Sequence, residues 1–305
     1  MQQINLPWET YPTRELTWEE KRRRLLRWLK IVVTRRGWAP LDFPTTGFAI
    51  IADDRIVDEE ILDEFREGLF CPIAIGEVVG DKYQIVRKLG YGKSSTVWLA
   101  RNLHARLQYR TLKVHVRGAT LREYFIHKEL HKASHFHPGK LHVRKVDQRF
   151  TIRKSEGSFG CLVMKPMICT VSDALRAFTA SSNGRPFPLV YCKQILYQLL
   201  LALDYLHWDR KLVHTDIKAD NLFYELRGKT SLDAYALTNY RTPASRKVVN
   251  GRTIYRSRCL QGTAGRVVLG DLGVAKPRIP IIRNFGRAQP CIFQAPEVLF
   301  DIAWD

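Results

Sequence analysis

The run Leu212-Val213-His214-Thr215-Asp216-Ile217-Lys218-Ala219-Asp220-Asn221-Leu222 decides how the rest of this chain is read. Two apolar residues lead into a tight polar stretch in which a carboxylate, an ammonium and an amide sit at fixed offsets. Such a turn suits three groups brought onto one phosphate. There Asp216 could accept a proton from an attacking hydroxyl, Lys218 could neutralise charge on the transferred group, and Asn221 could hold a divalent cation. Taken alone, the run also fits an ordinary polar surface loop.

Four further stretches stand in order around it. Upstream lie Leu89-Gly90-Tyr91-Gly92-Lys93-Ser94-Ser95-Thr96-Val97 and Thr111-Leu112-Lys113-Val114; downstream lie Asp271-Leu272-Gly273 and Gln294-Ala295-Pro296-Glu297. With them, HTDIKADN resembles the catalytic loop of eukaryotic-type protein kinases. The others resemble the glycine-rich loop, the strand carrying the ATP-binding lysine, the metal-binding DFG motif and the APE motif. Thr215 in place of the usual arginine, Ser95 in place of the third glycine and leucine in the DFG position are similar to the SR-protein kinase (SRPK) family. The wording KLGYGKSSTVWLARN, His137-Pro138-Gly139 and the NGRTIYRSR insert resemble SRPK-like Ser/Thr kinases of filamentous fungi. The resemblance covers roughly residues 43 to 305.

The implied fold is α+β and two-lobed. Its small lobe is an antiparallel sheet with one helix, and its large lobe is helical and incomplete at the C-terminus, because the chain ends eight residues after Glu297. The expected division is an N-terminal extension at 1–42, lead-in and small lobe at 43–164, and a partial large lobe at 165–305 with an insert at about 224–266. The implied chemistry is transfer of the ATP γ-phosphate to Ser or Thr of a protein substrate, with Mg²⁺ as the metal. The alternative is a truncated, catalytically impaired kinase-like module that binds nucleotide or a partner.

Composition narrows the class. No apolar run approaches the ~20 residues that span a bilayer, and no basic-then-apolar leader opens the chain, which points to an intracellular protein, cytoplasmic or nuclear. Six scattered cysteines without C-x-x-C pairs read as structural thiols in a reducing compartment. The formal charge of +19 arises mainly between Arg101 and Lys154 and between Arg227 and Arg266. With no zinc-finger or RNA-binding signature beside it, this favours a phosphate-handling enzyme with a basic surface. Nucleic-acid association is expected to be at most weak and nonspecific.

Along the chain, Thr17-Trp18-Glu19-Glu20 reads as a capping box opening a basic amphipathic helix over 21–36. The lead-in at 43–80 is acidic between Asp53 and Glu67, opposite in sign to the small lobe it precedes. Tyr83 to Leu89 and Thr96 to Arg101 alternate as paired strands. Gly90 and Gly92 leave room for backbone N–H groups to approach phosphate oxygens. Period two sets Thr111, Lys113 and His115 on one strand face and Leu112, Val114 and Val116 on the other.

The resemblance requires a helix glutamate to pair with Lys113. Glu123 and Glu129 are the candidates, and counting back from His137-Pro138-Gly139 favours Glu123. Cys161-Leu162-Val163-Met164 leads into the implied hinge, with Met164 as gatekeeper and the backbone of Lys165 and Met167 meeting adenine. Thr111 departs from the usual alanine of the adenine pocket. The nucleotide-binding set is therefore Leu89, Gly90, Gly92, Val97, Lys113, Met164 and Met167, and the metal pair is Asn221 and Asp271. The catalytic set is Asp216, Lys218, Lys113 and Glu123. A helix from Tyr191 to His207, apolar almost all round, is expected to be buried on several sides. The insert from Tyr224 to Arg266, rich in Arg, Ser, Thr and Gly, is expected to be a surface loop. The family's arginine-serine substrates are the implied partners, although a +19 surface repels a basic peptide. The absent arginine at Thr215 implies a site that does not wait for a phosphorylated activation loop.

Overall fold

Near-continuous burial marks the central strands of the first sheet. A computed structural model describes residues 18, 19, 22, 39–104, 109–120, 122–131, 136–227, 232–278, 284–286 and 288–304. Thr17 and Glu20 of the capping box, and all of the amphipathic helix over 21–36 except residue 22, lie outside them. Six antiparallel strands, β1 (Val78–Val79), β2 (Tyr83–Gly92), β3 (Ser95–Asn102), β4 (Tyr109–His115), β5 (Val146–Lys154) and β6 (Gly157–Met164), pair in the order β1-β2-β3-β4-β6-β5. Leu112, Val114, Cys161 and Val163 point into one apolar cluster with Ile85, Trp98 and Phe159. Helix α2 (Arg122–His131) packs beside this sheet, and a short helix α1 (Asp63–Arg66) precedes it in the lead-in.

The second lobe begins with β7 (Met167–Thr170) and α3 (Val171–Ser181). Thr170 opens α3 with a capping box: its hydroxyl accepts from the Asp173 N–H, and the Asp173 carboxylate accepts from the Thr170 N–H. Helix α4 (Leu189–Asp204) follows, closed by a single π turn over Tyr205–Asp209. Then come β8 (Leu212–Val213), β9 (Leu222–Arg227), α5 (Leu232–Arg241), β10 (Arg246–Val249), β11 (Arg252–Tyr255), β12 (Thr263–Leu269), β13 (Lys276–Pro277) and α6 (Pro296–Leu299). Strands β12, β9 and β7 form one sheet, and β13 pairs with β8. Ile195, Ala202, Tyr205, Leu206, Leu222, Leu269 and Leu272 share this lobe's core. No helix among the described residues is long and apolar enough to cross a membrane.

The glycine of His137-Pro138-Gly139 has a packing cause. A Cβ built there lies 1.8 Å from the Leu201 carbonyl oxygen, so only glycine lets this turn press against α4. That contact seats the segment after α2 against the second lobe.

Two expectations need correction. Helix α4 is not buried on several sides: Leu196, Tyr197 and Leu200 are exposed, while Ile195 and Ala202 face the core. The apolar residues outnumber what the neighbouring elements cover. The insert is not a plain surface loop either. Strands β9 and β12 extend outward as a pair, and between them α5 and the β10–β11 hairpin fold back over the small lobe. Ala244 and Tyr255 enter the small-lobe core, and Ala236 and Leu260 pack with Val86 and Leu99 of β2 and β3. Asn250 and Gly251 both have positive φ, 49° and 74°, which suits the tight two-residue turn that joins β10 to β11.

The acidic lead-in is held between β2 and this insert. Glu59 pairs with Lys88 of β2, and both side chains are buried. Glu60 pairs with Lys247 at 2.8 Å, the Asp58 carboxylate accepts from the Ser257 N–H, and Arg252 donates to the carbonyls of Phe70 and Gly68. Opposite charges written far apart in sequence thus meet on one face of the small lobe.

Candidate active site

Lys113 is fixed by the sheet register. Gly90 lies opposite Val97, and Val97 opposite Lys113, so the glycine turn, the valine and the lysine form one row across β2, β3 and β4. The Lys113 ammonium donates to Glu123 Oε2 of α2 at 2.8 Å and to Asp271 Oδ1 at 2.8 Å. One buried cation thereby joins the sheet, the helix and the Asp271-Leu272-Gly273 segment of the other lobe. Burial lowers the Lys113 pKa, but the Glu123 and Asp271 carboxylates more than offset it and hold the group above its usual value. For Asp271 burial raises the pKa, and the Lys113 charge and hydrogen bond reverse this, so the carboxyl stays below its usual value. The structure brings Glu123 to Lys113. Glu129 is instead on the stretch of α2 where its carbonyl accepts from Arg210.

The catalytic-loop residues form a second group, tied to the strand end that carries Asp271. Asp216 Oδ2 accepts from the Lys218 ammonium at 2.8 Å and from Asn221 Nδ2 at 2.8 Å, and that amide also donates to the Asp216 carbonyl at 2.7 Å. With Nδ2 so engaged, Asn221 keeps Oδ1 for a cation. The Gly270 N–H donates to the Asn221 carbonyl at 2.9 Å, which ties the loop to the strand end that carries Asp271. His214 locks the two together. Its Nδ1 accepts from the Asp216 N–H, so Nε2 carries the proton and donates to the Gly270 carbonyl at 2.9 Å. Burial pushes the His214 pKa down and keeps the ring neutral. Thr215 and Asp271 both hold positive φ, 68° and 60°, conformations uncommon for residues with a Cβ. The Thr215 hydroxyl donates to the Val274 carbonyl at 2.9 Å, so the residue replacing the expected arginine fastens the catalytic loop to the segment after Asp271.

The residues fit a nucleotide and its metal. A Cβ built on Gly90 or Gly92 meets nothing within 4 Å, so packing does not demand these glycines and the space beside them is open. The Thr111 hydroxyl, on a fully buried residue opposite Met164, has no hydrogen-bond partner. It is an unused polar atom at the position expected to border the base. Met164 and Met167 are buried on either side of Lys165, and Leu89 and Val97 are half-buried. No cluster of three or more acidic, thiol or imidazole groups suited to a metal occurs among the described residues. Mg²⁺ needs none, since two protein oxygens, from Asn221 and Asp271, suffice where phosphates and waters complete the shell.

One further residue escaped the reading of the sequence. Arg144 follows the His137-Pro138-Gly139 turn inside the run Leu141-His142-Val143-Arg144-Lys145-Val146, where the adjacent Lys145 and His142 left it without a distinguishing signal. It is buried against Gly270, the residue before Asp271.

A fold of two lobes clasping a lysine, two acidic groups and a catalytic loop defines the protein kinase class. The chain belongs to the protein kinase domain family, whose model matches residues 83–257. Among the relatives, a serine/threonine protein kinase of Aspergillus fumigatus is 35% identical over 85% of this chain and 63% of its own length. The serine/threonine-protein kinase SRPK of Physarum polycephalum is 28% identical over 81% of this chain and 62% of its own. Human SRSF protein kinase 3 is 31% identical over 54% of this chain and 30% of its own. These relatives support the SRPK-like resemblance of the motifs. The chain thus spans somewhat under two thirds of the length of the fungal relative. A solved kinase domain shares the fold at a TM-score of 0.55 and 20% identity, covering 78% of this chain and 64% of that one.

Proposed function

We propose that the chain is an ATP-dependent protein serine/threonine kinase of SRPK-like type. The observation that carries this reading is the single ammonium of Lys113 bonded at once to Glu123 and Asp271, with the Asp216, Lys218 and Asn221 group tied through Gly270 to the segment that carries Asp271. ATP supplies the phosphoryl group, and Mg²⁺ between Asn221 and Asp271 neutralises its charge. Lys113, held by Glu123, positions the phosphates beneath Gly90 and Gly92. Leu89, Val97, Met164 and Met167 enclose the base. Asp216 orients the acceptor hydroxyl, and Lys218 steadies the transferring group.

The acceptor we favour is a Ser/Thr protein, with arginine-serine-rich segments as the finer proposal. The name of human SRSF protein kinase 3 gives SRSF as what that kinase acts on, and the family resemblance points to arginine-serine segments. Nucleic acid is the weaker partner, because much of the insert's positive charge is already used. Lys247 pairs with Glu60, Arg266 with Glu225, and Arg252 caps backbone carbonyls. Five described cysteines are free thiols, in keeping with a cytoplasmic or nuclear setting.

The test is transfer of labelled phosphate from ATP with Mg²⁺ to a general basic acceptor and to an arginine-serine peptide. Transfer that disappears in Asp216→Asn is expected. No transfer above that variant refutes the catalytic reading and leaves a nucleotide- or partner-binding module.

A further inference from the structure

The cluster around Lys113 is not balanced by Lys113 alone. Two buried or half-buried carboxylates, Glu123 and Asp271, share one ammonium. Two of the neighbouring histidines do not make up the difference, since burial pushes His115 and His214 down toward the neutral form. His127 Nε2 stands 3.9 Å from Glu123 Oε1 and adds a charge there only when protonated.

Arg144 supplies what is missing. Only 8% of it is exposed, its Nε has no hydrogen-bond partner, and its guanidinium lies 4.5 Å over the Phe223 ring. Its backbone N–H donates to the Leu269 carbonyl at 2.8 Å, two residues before Asp271. Its stem lies against Gly270, where a Cβ would come within 3.2 Å of Arg144 Cδ and 2.9 Å of the Phe223 ring. Burial pushes its pKa down to about 10, against the upward pull of Glu123 and Asp271, so it keeps its charge at neutral pH. Burying this arginine with its Nε unpartnered is costly, and the pull of the two carboxylates gives a reason for its place.

We infer that Arg144 is a positioning residue: a second cation, fixed behind Gly270, that balances Glu123 and Asp271 and so lets Lys113, still held by Glu123, engage a nucleotide's phosphates. It touches no substrate and acts through the two carboxylates. With Arg144 gone, the pair of negative charges grips Lys113 alone and competes with phosphate for it. The part of this concerning phosphates rests on the kinase reading, whereas the balance of charges does not.

The experiment therefore has two arms. In the first, urea unfolding of the full chain compares Arg144→Met, Glu123→Gln and the double variant. A tenfold or larger coupling in the unfolding equilibrium constant, about 1.4 kcal/mol, is expected. Effects that multiply to within twofold overturn the inference without reference to nucleotide. In the second arm, calorimetry measures Mg²⁺ with a non-hydrolysable ATP analogue. Arg144→Met is expected to weaken binding about tenfold and Arg144→Lys less than threefold. A purely structural arginine would lower the folded fraction and leave the affinity of the folded protein unchanged, and that result overturns the inference. An analogue that fails to bind the unaltered chain instead refutes the kinase reading, and the unfolding arm still decides the role of Arg144.

Discussion

Replacing Glu59 with glutamine tests how the lead-in supports the glycine-rich strand. Lys88 stands on β2, two residues before Gly90, and its side chain has no exposure. Its counter-charge is Glu59, at 9% side-chain exposure. The Tyr91 ring, 5.5 Å from the Lys88 ammonium, offers a cation–π contact and no second anion. Glu59→Gln leaves a buried ammonium facing a neutral amide, a change that costs ~3–5 kcal/mol. That is a large part of the ~5–15 kcal/mol that holds a domain folded. At ~2–4 °C per kcal/mol the midpoint falls by about 6–20 °C. The double variant Glu59→Gln with Lys88→Met removes the stranded charge and recovers most of the loss, since an apolar replacement of a buried pair is often near neutral. Scanning calorimetry reads the midpoints, and nucleotide affinity reads the displacement of Gly90 and Gly92. A single variant that costs under 1 kcal/mol, or a double variant no more stable than the single, refutes the reasoning.

Other consequences follow from the packing and the buried rings. Gly139→Ala drives a Cβ into the Leu201 carbonyl and is expected to cost at least ~1–3 kcal/mol in urea unfolding; an unchanged midpoint contradicts the close approach. Thr111→Val removes a buried hydroxyl that has no partner, so the nucleotide-free protein is expected to gain ~1 kcal/mol while nucleotide affinity changes; equal or lower stability refutes the orphan assignment. His115, His207 and His214 all have pKa values lowered by burial. The unfolded chain, with ordinary histidines near 6.5, takes up protons first, so stability is fully present above about pH 6.5 and declines as the pH falls below it. Urea midpoints that stay flat from pH 7.5 to 5.5 contradict this.

Much of the site was legible because its residues are spaced by local geometry. Asp216, Lys218 and Asn221 belong to one tight turn, and Lys113 takes its direction from strand alternation, so sequence offsets translate into distances. Glu123 was separable from Glu129 only by counting from His137-Pro138-Gly139, and the packing of Gly139 on α4 explains why that count works. The insert was misread because its arginines, serines and threonines have the composition of a solvated loop. Its burial depends on acidic residues far away in sequence, as Ser257 with Asp58 and Lys247 with Glu60 show, and no local pattern reports such pairing. One local signal was available: Asn250-Gly251 between Val248-Val249 and Thr253-Ile254 is a strong hairpin sign. Helix α4 fails in the opposite direction. Its leucines ask for more cover than the described elements provide, which leaves Leu196 and Leu200 in solvent.

The central claim is that Lys113, Asp216, Asn221 and Asp271 serve one magnesium-bound triphosphate. Isothermal titration of the full chain with a non-hydrolysable ATP analogue, with and without Mg²⁺, tests it most directly. One site per chain is expected, strengthened by Mg²⁺, weakened at least tenfold by Lys113→Met, and made insensitive to Mg²⁺ by Asp271→Asn. Binding that ignores both substitutions, or no binding at all, contradicts the account.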